Sequence, residues 1–340
     1  MKKITLIFLL INFYIAAYNQ VIRGTVLDKE TKSPIGFAYL YFNGTFTMTQ
    51  SDQNGNYELD VSKNASKPLI ISAIGYYSST LTDFSTEKPN LIYLIPKLYE
   101  LKEITINAKS LAKRRKANLI LFKNAFLGTT DNARECEILN ESDITFNYNS
   151  DKDTLKAFAL KPILIDNRAL GYSITYYLDK FEYVRMGNII FFQGNITFNE
   201  DLNTDAAQKE VFEMRRKYAY LGSRMHFFRS LWLDDLKSAG FAVKNSSNKN
   251  LTYKDIVIED VSKGKFLKYS ESLGISYKMN EPLSLGRSYK TNEPLSKLAF
   301  LKDMVFFSND GYFDPLGVTW EGYMAGLRIA DWLPYEYSVK

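Results

Sequence analysis

The sequence predicts a β-rich α+β protein, with a seven-stranded β-sandwich at the front and a mostly antiparallel α+β domain behind it. Three observations carry this expectation. The 340 residues include 24 Tyr and 23 Phe but only 9 Pro, a load that suits pleated, half-buried surfaces better than disorder. The front of the chain holds short apolar runs divided by turn dipeptides, the spacing of a sandwich. Further on, helix-period stretches are grouped together and do not alternate with strands as in a parallel sheet. The length has room for two ordinary domains, 21–108 and 109–340.

Residues 1–20 open with Lys2-Lys3 and continue as ITLIFLLINFYIAAY. Two cations before about fifteen apolar residues match the first two regions of a secretory signal peptide. A membrane helix needs roughly 20 apolar residues, and Asn19-Gln20 interrupts the run too early. Ala16 and Ala17 are small, but Tyr18 breaks a clean cleavage pattern, so an uncleaved anchor is the alternative. The absence of a cysteine here argues against a lipoprotein anchor. An exported chain with no transmembrane domain after signal removal is expected.

Without Lys2 and Lys3 the formal charge falls from +5 to +3, too small for the footprint of a nucleic-acid binder. The dense basic run Lys113–Lys116 is either a solvated helix start or a contact with anionic lipid or glycan. Cys136 is the only cysteine, so no disulfide within the chain supports the core. Oligomeric state is not legible.

In the front part, VIRGTVLD alternates from Val21, and FAYLYF sets Ala38, Leu40 and Phe42 on one face. Asn54-Gly55 marks a tight hairpin, because both central positions take positive φ. LIISAIGYY is a continuous apolar run, as expected of a strand buried on both faces and ended at Gly75. NLIYLI and LKEITINA bring the count to about seven strands.

Gly24, Val26, Asp28, Thr31, Pro34-Ile35, Ala38, Asp52, Gly55, Tyr57, Leu59 and Gly75-Tyr76 resemble the carboxypeptidase-regulatory-like domain, across about residues 20–97. The resemblance implies a transthyretin-like β-sandwich. LKEITINA is similar to the segment that follows this module in bacterial envelope proteins, TonB-dependent receptors among them. Together they imply export to the periplasm or outer membrane of a Gram-negative bacterium. They imply no peptidase: metallocarboxypeptidases bind zinc through two His and a Glu, and His226 is the only histidine. Nor do about 230 remaining residues suffice for the roughly 22 strands of an outer-membrane transporter.

The second domain begins with a helix over 111–128, with Leu119, Phe122 and Phe126 on one face and Gly128 as its cap. Strands are expected at 143–148, 154–159, 162–166, 171–179, 181–186 and 189–198. A helix over 205–221 has Ala207, Val211, Met214, Tyr218 and Leu221 on one face. A second over 223–239 aligns Met225, Phe228, Trp232 and Leu236 and closes at Gly240. Strands resume at 254–259, 265–269, 274–279, 298–307 and 316–320. This part loosely resembles the C-terminal regions that accompany the regulatory-like module in uncharacterised envelope proteins, which implies location and no activity.

Candidate chemistry is sparse. His226 with Arg224 and Arg229 is the pattern of a proton-transfer or anion-binding site; the plainer reading is a histidine hydrogen-bonded to a neighbouring element. A Cys136–His226 nucleophilic pair is conceivable, but Glu135 and Glu137 oppose a thiolate. NDGYFD at 309–314 lacks calcium-loop spacing and its terminal Glu, so it reads as an Asp-Gly turn. No metal and no cofactor are expected. Trp320, Tyr323, Trp332 and Tyr335 offer flat faces to a sugar ring, or they belong to a packed terminal helix.

SLGISYKMNEPL from Ser272 recurs once, as SLGRSYKTNEPL from Ser284 to Leu295. Two copies are too few for a solenoid. Each reads as a strand and a polar turn, and an even shift keeps the alternation of faces. With Arg287 in place of Ile275, the second copy reads as a duplication tolerated at a sheet edge or in a loop. The functional expectation is a non-enzymatic exported protein that binds an envelope partner protein or glycan through the second domain. The alternatives are an envelope hydrolase or transferase using His226, and a structural subunit of an envelope complex.

Overall fold

A computed structural model describes residues 20–65, 67–96, 108–200, 205–261, 264–278 and 295–339. The expected signal segment lies outside them, as do 101–107 of LKEITINA and the second repeat copy up to Pro294.

The front part is a sandwich of two sheets. Strands β1 (Val21–Asp28), β4 (Asn56–Asp60) and β7 (Asn90–Leu94) form one, in the order β4-β1-β7. The other is β3-β2-β5-β6, built from β2 (Tyr39–Phe42), β3 (Met48–Gln50), β5 (Leu69–Ser72) and β6 (Ser79–Leu81). Seven strands thus occur among the described residues without LKEITINA, whose last residue, Ala108, begins a helix. Period-two alternation sends Ile22, Val26, Leu40, Phe42, Tyr57, Leu59, Leu69, Ile71, Ile92 and Leu94 into the space between the sheets. Gly55 sits at φ 77 in the Asn54-Gly55 turn. There the Asp52 carboxylate accepts from the Asn54 and Asn56 amides, each at 2.8 Å. Gly24 is required by close approach, since a Cβ there would lie 1.8 Å from the Asn90 carbonyl oxygen.

Residues from 108 on build two further apolar clusters. In the first, helices α1 (Ala108–Phe126) and α2 (Asp131–Arg134) accompany a six-stranded sheet of β8 (Cys136–Ile138), β9 (Ile144–Asn149), β10 (Thr154–Ala159), β11 (Ile163–Asn167), β12 (Tyr172–Val184) and β13 (Ile189–Glu200). The two strands expected at 171–179 and 181–186 are one, β12, whose pairing with β13 slips at a bulge between Leu178 and Lys180. Its other edge is shared. β11 takes Tyr172–Tyr176 and β10 takes Glu182–Val184, with β8 outside β11 and β9 outside β10. Phe122 and Phe126 of α1 pack onto Phe181 and Tyr176.

Helices α3 (Ala206–Tyr220) and α4 (Arg224–Trp232) lead into the second cluster. Its five-stranded sheet runs β15-β14-β18-β19-β21, from β14 (Phe241–Lys244), β15 (Asn250–Leu251), β18 (Leu273–Tyr277), β19 (Leu295–Phe300) and β21 (Val318–Gly322). A smaller sheet holds β16 (Val257–Asp260), β17 (Gly264–Leu267) and β20 (Val305–Phe307), and the one-turn helices α5 (Tyr253–Ile256) and α6 (Tyr323–Gly326) complete it.

Several expectations shift here. The helix expected over 223–239 stops at Trp232, where the Leu233 amide closes on Arg229 and Asp234 takes φ 54. The strand expected from 254 is a helical turn up to Ile256, because the Asp255 carboxylate accepts from the Thr252 amide at 2.7 Å. The buried face of α3 is Phe212, Arg216, Ala219 and Tyr220, and Ala207 is exposed. After α6 the chain returns to the first cluster, to which Ile329, Ala330, Leu333 and Tyr337 belong.

Candidate functional site

Helix α4 carries the histidine and both arginines. Ser223 caps it, its Oγ accepting from the His226 amide at 3.2 Å. The His226 side chain is buried among Tyr220, Phe241 and Tyr277, with ring centroids at 4.7, 4.9 and 5.6 Å. Its Nδ1 accepts from the Gly222 amide at 3.2 Å. In a neutral ring this leaves the proton on Nε2. Burial, and then the Arg229 charge, push its pKa down to about 4, so the ring is neutral at pH 7. The expected face was Met225, Phe228, Trp232 and Leu236; the buried residues of the helix are His226, Phe227, Phe228, Ser230 and Leu231.

The arginines face the other way, toward the chain end. Arg224 donates to the Leu327 carbonyl at 2.5 Å and lies over the Trp332 ring. Arg229 donates to the carbonyls of Asp310, Tyr337 and Tyr335 at 2.9, 2.7 and 3.0 Å. A guanidinium has five N–H donors and no acceptor, and here they hold irregular backbone that has no ladder partner. His226, Arg224 and Arg229 therefore share a helix but do not converge on one point.

Cys136 is not brought to His226. It lies on β8 in the first cluster, whereas His226 packs on strands of the second. Burial, followed by Asp331, Asp166 and Glu135, pushes its thiol up to about 12. The Asn309–Asp314 turn is occupied by an ion pair. Asp310 meets Lys67 of the sandwich, and its Oδ1 accepts from Ser308 Oγ and the Tyr312 amide. Burial raises the Asp310 carboxyl, and Lys67, Ser308 and Tyr312 outweigh that and hold it low. Of the basic run, Arg115 bonds the Glu141 and Ile144 carbonyls, and Lys113, Arg114 and Lys116 are exposed. Among the described residues no group of three or more His, Cys, Asp or Glu is placed to hold a metal, and no helix is long and apolar enough to cross a membrane.

The four aromatic candidates go to three places, and where one terminal helix was the alternative the run holds only the single turn α6 and a 3-10 turn at Ile329–Asp331. Trp320 on β21 packs edge-on against Phe228 and Phe313, and Tyr323 packs against the same cluster. Trp332 stacks on Phe192 and donates to the Leu327 carbonyl at 3.2 Å. Tyr335 meets Tyr312 edge-on, with the Lys67 ammonium 5.0 Å from its ring centroid.

Against known families, residues 22–106 match the CarboxypepD_reg-like domain. The N-terminal sandwich is a domain of that kind. No curated protein matches the chain.

The regulatory-like domain is fastened to the rest by contacts that no motif announced. The Gly44 amide donates to the Ile196 carbonyl at 2.8 Å, and Thr45 forms a parallel bridge with Thr197. Asn43 Oδ1 accepts from the Ile196 amide at 2.8 Å, and the Tyr335 amide donates to the Gly44 carbonyl at 2.8 Å. Tyr41 of the domain stacks on Tyr177 of β12 at 4.6 Å, beside Ile70. This explains why β5 is buried on both faces. Leu69 and Ile71 fill the sandwich, and Ile70 joins the contact with β12.

Proposed function

We propose that the protein is a non-enzymatic exported envelope protein that binds a partner protein or a glycan, with the regulatory-like domain and the larger part acting as one body. The observation that supports this reading best is the use made of α4. A neutral His226 is caged by three aromatic rings, and the arginines on the same helix are bonded to main-chain carbonyls, so the three do not converge on one proton or anion. Export is supported by the Lys2-Lys3 pattern and the apolar run behind it.

The test is capture from chemically crosslinked Gram-negative envelopes, with fractionation and intact mass of the recovered chain. The expected result is a chain shortened between Ala16 and Gln20, joined to an envelope protein or glycan. A recovered chain that retains residue 1 sinks the soluble exported form. A turnover found in the pure protein, and lost on His226→Gln with the Tm unchanged, promotes the hydrolase or transferase reading.

A further inference from the structure

The six-stranded sheet ends at β8, which among the described residues pairs with β11 alone. The Leu139 amide donates to the Leu164 carbonyl, and the Arg168 amide donates to the Glu135 carbonyl. In an antiparallel ladder alternate residues bond to the same neighbour. Residues 135, 137 and 139 therefore face β11, and the N–H and C=O groups of Cys136 and Ile138 point to the free edge. Among the described residues no main-chain bond to another element closes that edge.

A cleft of about 760 Å³ runs along it. Its lining comes from both faces of the sheet, with Lys123 from α1 on one side and Glu137 and Arg168 on the other, which places it on the edge itself. Cys136 and Ile138 are only 9% and 3% exposed, so the free main-chain groups lie on the floor of the cleft. The charges on its walls are already paired, Lys123 with Glu141 at 2.7 Å and Arg168 with Glu137 at 2.5 Å. What the cleft offers an occupant is main-chain hydrogen bonding.

We propose that this cleft takes an extended peptide segment of a partner protein, added to the sheet as a strand beside β8. The inference rests on the reading that the protein binds a partner, and it names the place and the chemistry. Strand addition draws affinity from main-chain bonds and selectivity from alternate side chains. A lone strand reaches the recessed floor. A second copy of the chain does not, because its own β8 lies equally deep between its own walls.

The probe is a set of seven-residue peptides selected on the full chain from a random display library, then synthesised plain and with single N-methyl groups along the backbone. Hydrogen exchange of the protein is read residue by residue. Selected peptides are expected to slow exchange at the Cys136 and Ile138 amides. N-methylation at alternate peptide positions should weaken binding at least tenfold, and at the intervening positions it should change little. Four results overturn the proposal: no enrichment, protection confined to other amides, binding indifferent to N-methylation, or protection that appears with protein concentration alone. A chitohexaose probe that protects the same two amides overturns it in favour of a glycan. None of these readings needs an envelope partner, so they fail or stand apart from the capture experiment.

Discussion

The regulatory-like sandwich and the larger part close their backbones in different ways. In the sandwich nearly every inward position is apolar, and the main-chain groups are paired within two small sheets. Its Arg23–Glu58 pair lies on the surface. In the larger part, guanidinium groups reach main-chain carbonyls that no strand serves. Arg216 bonds Leu170 and Gly171, Arg224 bonds Leu327, Arg229 bonds Asp310, Tyr335 and Tyr337, and Arg328 bonds Ala125. Buried carbonyls need donors wherever the chain is irregular. The larger part has long irregular returns and meets that need with arginine.

The largest expected effect breaks the comparison at its strongest point. Arg216→Ala takes the guanidinium donors from the Leu170 and Gly171 carbonyls and removes the cation that Glu200 and Glu213 share. The loss should be about 3–5 kcal/mol in urea unfolding, from two buried carbonyls at about 1–3 kcal/mol each and from the guanidinium packed over the Tyr172 ring. Arg23→Ala in the sandwich should leave the midpoint where it was. Equal effects would mean that the arginines of the larger part are ornamental.

Next in size is a pH dependence carried by the one histidine, in the larger part. The folded pKa of His226 is about 4, below its ordinary 6.5. The unfolded chain therefore binds the extra proton first. Stability is full above pH 6.5 and declines as the pH falls toward about 4, by about 3 kcal/mol over the window. His226→Gln should flatten urea midpoints across this range. A slope that survives the substitution assigns the effect to other groups.

A smaller effect of opposite sign is expected where the two parts meet. The Tyr177 hydroxyl is buried without a hydrogen-bond partner in the contact with Tyr39 and Tyr41. Tyr177→Phe removes an unsatisfied donor and keeps the stacked ring, so the Tm should rise, by an equivalent of about 1 kcal/mol. A fall would show that the hydroxyl is satisfied by water.

The smallest effect concerns the repeat. Ser276 and Leu295 are cross-strand partners on β18 and β19, so the second copy up to Pro294 falls in sequence between two paired strands. Deletion of Ser284–Leu295 puts Leu283 where Leu295 stands. Loop-closure entropy then changes stability by no more than about 1 kcal/mol. Loss of cooperative unfolding would place the second copy in the core.

Legibility followed the same divide. Asn54-Gly55 and the alternation of FAYLYF are local signals with a single physical meaning, and they located the sandwich strands. The face of α3 was misread because its most buried polar position is Arg216, which any hydropathy pattern sends to the surface. The helix from Ser223 was drawn too long because Leu236 continues the apolar period after hydrogen bonding has stopped at Trp232. Trp320, Tyr323, Trp332 and Tyr335 looked like one aromatic group because they are near in sequence. The fold distributes them over two clusters and the contact with the sandwich.

By itself the sequence determined the β-rich class, the sandwich with its regulatory-like pattern, the grouping of helices, and the want of a second histidine for a zinc peptidase. These depend on composition and on neighbours a few residues apart. Only the tertiary structure decided that His226 is caged and neutral, that Asp310 pairs with Lys67, that Tyr41 meets Tyr177, and that β8 has one edge unpaired among the described residues. Each of these depends on which distant segments become adjacent. A hydrogen bond or a desolvated charge takes its energy from that adjacency, and residue order along the chain does not record it.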